Sequence, residues 1–223
     1  MMTEAERRIL DSVTMNEPWG LVESFATFKR EHPRDVDRGM EEVAKRLTRH
    51  GVPVTVHTPS LYLSLPCAAR VVAGDRSFRA KPPAYAADAR EGGTAPLVYL
   101  GANAADDIDD IFDLKLDGAG LAERAKGAIV LSEGYASPVM VRQFEELGAV
   151  GVIAINPGVD IHWGICTTIW GVPDLDDLPR KPKIPAAAGN KPDGEALIER
   201  ARAGGDATIF TEMEEGWFDS KLV

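Results

Sequence analysis

GAIVLSEG at residues 127–134, SPVMVRQFEELG at 137–148 and VGVIAIN at 150–156 decide how this chain is read. Ala128, Ile129, Val130 and Leu131 form a short continuous apolar run, as a strand buried on both faces does. Ser137 followed by Pro138 is a helix start. The serine side chain accepts an unpaired first-turn amide, and proline has no amide hydrogen to lose. Val141, Phe144 and Leu147 recur at helical spacing, and Gly148 ends the run. Val150 to Ile155 is a second apolar run. Strand, helix and strand within about thirty residues predict a βαβ unit with parallel strands.

The segments around this unit are expected to be helical before it and mixed after it. Thr3 and Glu6 have capping-box spacing. Pro18 suits a first helical position, and Leu21, Phe25 and Phe28 make an apolar stripe. Pro33 interrupts. Asp35 then caps a helix carrying Val36, Met40, Val43 and Leu47, which Gly51 closes. From Val52 the period changes. Val52, Val54 and Val56 alternate as in a strand, and so do Leu61–Leu65 and Ala69–Val72. Lys81, Pro82 and Pro83 break regular structure, and Pro96–Gly101 is a further apolar run. After Asn156 a loop runs to Lys183. Asp193 then opens a helix through Leu197 and Ile198, and Ala207–Phe210 is a late strand. Asp219–Val223 has the pattern of a strand that begins and stops, as in a chain that continues.

Composition narrows the function classes. The 223 residues carry 25 basic and 35 acidic side chains, a net charge of −10, and are 44% hydrophobic. That is a globular composition with ample core. No apolar run reaches the length of a membrane span. An acidic surface repels phosphate backbones, so neither nucleic acid nor membrane is expected as a partner. Two cysteines, Cys67 and Cys166, suit a reducing compartment. Charged residues interrupt the N-terminal stretch where a signal peptide's apolar region would lie, so the expected location is cytoplasmic.

Few residues carry chemistry. Asp106, Asp107, Asp109, Asp110, Asp113 and Asp117 lack the glycine turn and closing glutamate of a calcium loop, and read as a solvated segment. His32, His50 and His57 have no second ligand at metal-binding spacing. His162 and Cys166 are four apart, which is too few ligands for zinc and only weak evidence for a nucleophile and base. The sequence holds no Gly-x-Ser-x-Gly elbow and no P-loop. The loop 156–183 carries His162, Trp163, Cys166 and Trp170, and is the candidate surface for substrate or partner. Loops of such length in compact domains are uncommon and usually functional. The bland alternative makes its tryptophans plugs of the core. Glu133, Gly134 and Tyr135 sit where an α/β loop would meet a ligand.

Lys126–Val130 and Gly148–Ile153 with Asn156 resemble the protease-associated (PA) domain, which shows a Gly-Lys-Ile-Val-like strand, a helix, and then Gly-Ala-x-Gly-Val-Ile and Asn. Ile184-Pro185 before Asp193–Leu197 is similar to a later stretch of that family. The preceding helices, the Gly51–Val56 run and Tyr62–Pro66 give an order similar to the M28 zinc aminopeptidases and carboxypeptidases, in which a PA domain is inserted into the catalytic domain. The resemblance implies a mixed α/β fold. A swivelling β/β/α PA-type domain spans 58–212, after a helical arm and first strand at 1–57, with a return strand starting at 213–223. It implies the non-catalytic part of a peptidase, a lid over the substrate cleft. Zinc is expected in a full-length family member, with its ligands after the insertion, and neither zinc nor a catalytic residue within this chain. Peptide substrate then meets the protein through the missing catalytic domain. A stand-alone binding or dimerisation module, with a second copy as partner, is the alternative.

Overall fold

A computed structural model describes residues 2–102, 120–166, 176 and 178–223. The acidic segment Asp106–Asp117 and, within the long loop, Ile169, Trp170 and Leu175 lie outside the described residues. The chain divides into two compact units, one made of Met1–Leu61 with Trp217–Val223 and the other of Tyr62–Gly216. Among the described residues, no helix is long and apolar enough to cross a membrane.

The first unit is helical. Helix α1 (Glu4–Ser12) opens with the expected capping box. The Glu6 amide donates to Thr3 Oγ1 at 3.2 Å, and the Thr3 amide donates to Glu6 Oε2 at 2.6 Å. In α2 (Asn16–Ala26) Pro18 stands third, not first. Helix α3 (Pro33–Arg49) corrects two expectations. Pro33 does not interrupt but opens the helix, because it has no amide hydrogen to leave unpaired. His32, not Asp35, is the cap: its Nδ1 accepts the Arg34 amide at 3.2 Å. Arg46 ties α2 to α3, donating to Glu42 Oε1, Glu17 Oε2 and the Gly20 carbonyl at 2.9, 3.1 and 3.2 Å. Val52–Val56 is not a strand. Alternation makes a ladder only where a partner edge is present. Here the pairing is confined to His57 and Leu222, which exchange two backbone bonds of 2.9 Å.

The second unit is a mixed α/β structure. Its sheet holds β1 (Ser60–Ala73), β2 (Arg76–Ala80), β3 (Ala89–Ala102), β4 (Ile129–Glu133), β5 (Gly151–Ile155), β6 (Ala186–Gly189) and β7 (Asp206–Asp219) in the order β2-β1-β7-β3-β4-β5-β6. β1 starts and β7 ends in the first unit. The runs Leu61–Leu65 and Ala69–Val72 are one strand, and β2, which the sequence reading lacked, pairs antiparallel with it. β3, β4, β5 and β6 are parallel, whereas β3 meets β7 antiparallel. The sheet's two edges touch where Lys81 and Ala188 exchange backbone bonds of 3.0 and 2.8 Å. Helices α4 (Leu121–Ala125), α5 (Pro138–Glu146) and α6 (Lys191–Arg202) complete the unit, with a 3-10 turn at Leu178–Arg180.

The βαβ unit forms as expected. Ser137 caps α5 by accepting the Met140 amide at 3.2 Å, and Gly148 takes the left-handed conformation, with φ of +87°, that ends it cheaply. Ile129 pairs with Gly151 and Leu131 with Ile153. Side chains of a strand alternate between faces. Ile129, Leu131, Ile153 and Ile155 therefore join Leu197 and Ile198 of α6 in one apolar cluster. Val130, Val152 and Ala154 join Val141 and Phe144 of α5 in the other. At β4 and β5, where the sheet is buried on both faces, substrate-sized groups reach it only at strand ends.

Candidate functional site

The carboxyl ends of β4 and β5 lie side by side, and their loops are tied together by one side chain. Asn156 follows β5 and is 1% exposed. Its Nδ2 donates to the Gly134 carbonyl at 3.0 Å, and its Oδ1 accepts the His162 amide at 2.8 Å. A buried amide must satisfy both ends, and here the two ends hold two different loops.

The loop 160–166 is thereby fixed against two other segments. Ala84 donates to the Gly164 carbonyl at 2.9 Å, and the Cys166 amide donates to the Ala84 carbonyl at 2.8 Å. Gly164 sits so close to its neighbour that an added Cβ would lie 2.7 Å from the Ala136 oxygen. On this frame Tyr135 and Trp163 are 51% and 49% exposed. The His162 ring meets Tyr135 edge-on, with centroids 5.4 Å apart. The Lys81 ammonium lies 4.8 Å from the Trp163 ring centroid. The result is a ledge of rings carrying a cation, held by buried backbone bonds.

Beside the ledge, β4 ends on an ionic cluster. Glu133 Oε2 pairs with Lys191 Nζ at 2.6 Å, and Glu133 Oε1 accepts the Tyr99 hydroxyl at 2.6 Å. The hydrogen bond from Lys191, then that from Tyr99, holds the Glu133 carboxyl below its ordinary range. Burial and the bond to Glu133 push the Tyr99 phenol up to about 12. A carboxylate so engaged is a poor base at neutral pH. The cluster fixes the strand end.

The structure separates the four residues expected on the loop surface. His162 and Trp163 are exposed on the ledge. Cys166 faces the other way. It is buried in the apolar cluster with Val141 and Phe144, and burial pushes its thiol well above the ordinary value. A thiol that is neutral and sealed in the core is neither a contact residue nor a nucleophile. Trp170 lies outside the described residues. Tyr135 was marked only by its place in the loop after β4, and Lys81 was not singled out as a contact residue, because it stands far from residue 163 in sequence. Among the described residues, no three His, Cys, Asp or Glu side chains converge to hold a metal.

No family model and no curated protein matches this sequence. Solved structures do match in fold. An aminopeptidase from Aneurinibacillus sp. strain AM-1 is 20% identical with a TM-score of 0.61, over 93% of this chain and 46% of that one. A zinc aminopeptidase from Bacillus subtilis is 18% identical with a TM-score of 0.52, over 84% of this chain and 39% of that one. A peptidase M28 precursor from Shewanella amazonensis SB2B is 16% identical with a TM-score of 0.53, over 86% and 44%. This chain therefore spans less than half the length of each of these peptidases and shares the fold of that part of them.

Proposed function

We propose that this chain is the PA-type, non-catalytic portion of an M28-type zinc aminopeptidase. Its role is to cover the substrate cleft and to guide peptides into it. One observation carries the reading. The likeness to the Aneurinibacillus aminopeptidase takes in 93% of this chain but only 46% of that one. The first unit comprises residues 1–61 and 217–223, which is 61 + 7 = 68 residues and too many to fall in the unmatched 7%. The likeness therefore extends to the helical arm as well as the sheet.

In this reading zinc and its ligands belong to the part of the enzyme outside this chain, and His162, Trp163, Tyr135 and Lys81 contact the incoming peptide. Rigid rings offer large contact area at small entropic cost. Both cysteines are free, which fits a reducing compartment, and we place the protein in the cytoplasm. The exposed Ile9 and Leu10 of α1 and Val13 just after it favour a second reading, a stand-alone module whose arm docks on a partner or a second copy.

The two readings part on the complete reading frame. If it continues past Val223, its purified product should hydrolyse aminoacyl-p-nitroanilides, lose activity to a chelator and regain it with zinc. Trp163→Ala in that product should raise KM with kcat little changed. The 223-residue chain alone should bind no stoichiometric zinc by elemental analysis. A frame that ends at Val223, or a longer product without zinc-dependent hydrolysis, would overturn the peptidase reading in favour of the binding module.

A further inference from the structure

Away from the ledge, β1, β3 and β7 border a cavity of about 260 Å³ lined by Ala68, Ala69, Arg70, Arg90, Phe210 and Glu212, with the Thr211 backbone strand between the last two. Two cations, an aromatic ring and a carboxylate in one small cavity are the components of a recognition site.

The ring and one cation are fixed. The Arg70 guanidinium lies 3.5 Å from the Phe210 ring centroid. On the β3 side the ring packs on bare backbone: a Cβ on Gly92 would lie 2.5 Å from it. A guanidinium stacked on a ring is confined to a plane, with its N–H edge free to grip a carboxylate by two parallel bonds. Arg90 is already engaged, with Asp88 at 3.1 Å, the Met213 carbonyl at 2.8 Å and Glu212 at 3.7 Å. The exposed Arg70 side chain has no hydrogen bond or ion pair among the described residues and rests on the Phe210 ring.

We propose that this cavity binds a small peptide-like zwitterion. Its carboxylate takes the Arg70 edge, its ammonium meets Glu212, and its hydrocarbon lies against Phe210 and the two alanines. Glu212, 3.7 Å from Arg90 and half exposed, supplies the opposite charge that a zwitterion uses and a bare anion does not. The inference uses this unit alone and does not depend on the peptidase reading.

The test is titration of the 223-residue chain with alanylalanine, followed by calorimetry and amide NMR, beside N-acetyl-alanylalanine and alanylalanine amide. Saturable one-to-one binding is expected, weakened roughly fivefold or more by either block. Arg70→Met keeps the stem over Phe210 and should erase the preference for acid over amide. Glu212→Gln should erase the preference for free amine over acetyl. Arg70→Lys, which keeps the charge but not the fork, should bind two- to fivefold more weakly than wild type, and serves if the methionine variant unfolds. Absence of saturation up to about 20 mM, equal binding of the blocked peptides, or preferences unchanged in the variants would overturn the proposal.

Discussion

Asn156→Ala is the substitution that best tests how the ledge is held. The wild-type side chain makes two bonds, to the Gly134 carbonyl and from the His162 amide, and is 1% exposed. Each bond contributes about 1 kcal/mol net, and alanine leaves both backbone groups without their partner. The expected loss is about 2 kcal/mol. The second unit has 216 − 62 + 1 = 155 residues, so that loss corresponds to a fall of about 4–8 °C in Tm. Differential scanning calorimetry reads the fall. Hydrogen exchange should show faster exchange at residues 160–164, with the amides of β4 and β5 unchanged. Asn156→Asp adds a discriminating control. Its oxygen still accepts from His162, but at neutral pH a carboxylate oxygen faces the Gly134 carbonyl. It should be at least as destabilising as alanine at pH 7 and should recover towards wild type as the solution is acidified. A Tm for Asn156→Ala within about 1 °C of wild type, with exchange unaltered, would refute the tie.

Three further outcomes are expected. Trp163→Ala should cost less than about 1 kcal/mol by chemical denaturation, because the ring is half exposed and loses chiefly its contact with Lys81; a loss of 3–5 kcal/mol would mark a core plug instead. Glu133→Gln should cost about 0.5–1 kcal/mol at pH 7. Glu133 titrates below its ordinary 4.5 in the folded state, so its contribution is present above that pH and is lost as pH falls through the lowered value. The wild-type and Glu133→Gln stabilities should therefore converge once the pH falls below that lowered value, and a constant difference would exclude the ion pair as its source. A disulfide-exchange thiol reagent should titrate one cysteine in the native protein and two after denaturation. Cys67 is exposed and Cys166 is buried with its thiol kept neutral, so two fast-reacting native thiols would contradict the core placement.

What was legible in the sequence was what local chemistry controls. The capping box at Thr3, the Ser137 cap and the two apolar runs of the βαβ unit each depend on residues within one turn or one strand, and each forms. What failed depends on partners distant in sequence. Val52, Val54 and Val56 have strand alternation but no ladder to join. Arg76–Ala80 is polar enough to pass for a loop and is a strand because β1 pairs with it through a tight turn at Gly74 and Asp75. The capping role of His32 was not legible, since histidine is an uncommon cap. The site follows the same division. His162 and Trp163 stood out as unusual residues in a long loop. Their neighbour Tyr135 was marked only as a loop position after a strand, and Lys81 only as a break in regular structure, for the ledge is assembled from three separate segments. The burial of Cys166 was hidden because its backbone bond partner, Ala84, is 82 residues away.

The strands that join the two units have a consequence for how such a protein arises. Pro59 accepts from Ser220 at 3.1 Å, and His57 pairs with Leu222, so the chain leaves the first unit and returns to it on adjacent antiparallel segments. Both of these segments belong to the first unit and lie one strand spacing apart, about 5 Å. A segment whose start and finish coincide in this way can be gained or lost in a single genetic event, because the host needs only a hairpin turn to close the gap. Residues 62–216 thus constitute a cassette. Excised, they leave a two-stranded stem for the helical arm; circularised through a short linker, they admit new termini elsewhere without altering any strand pairing.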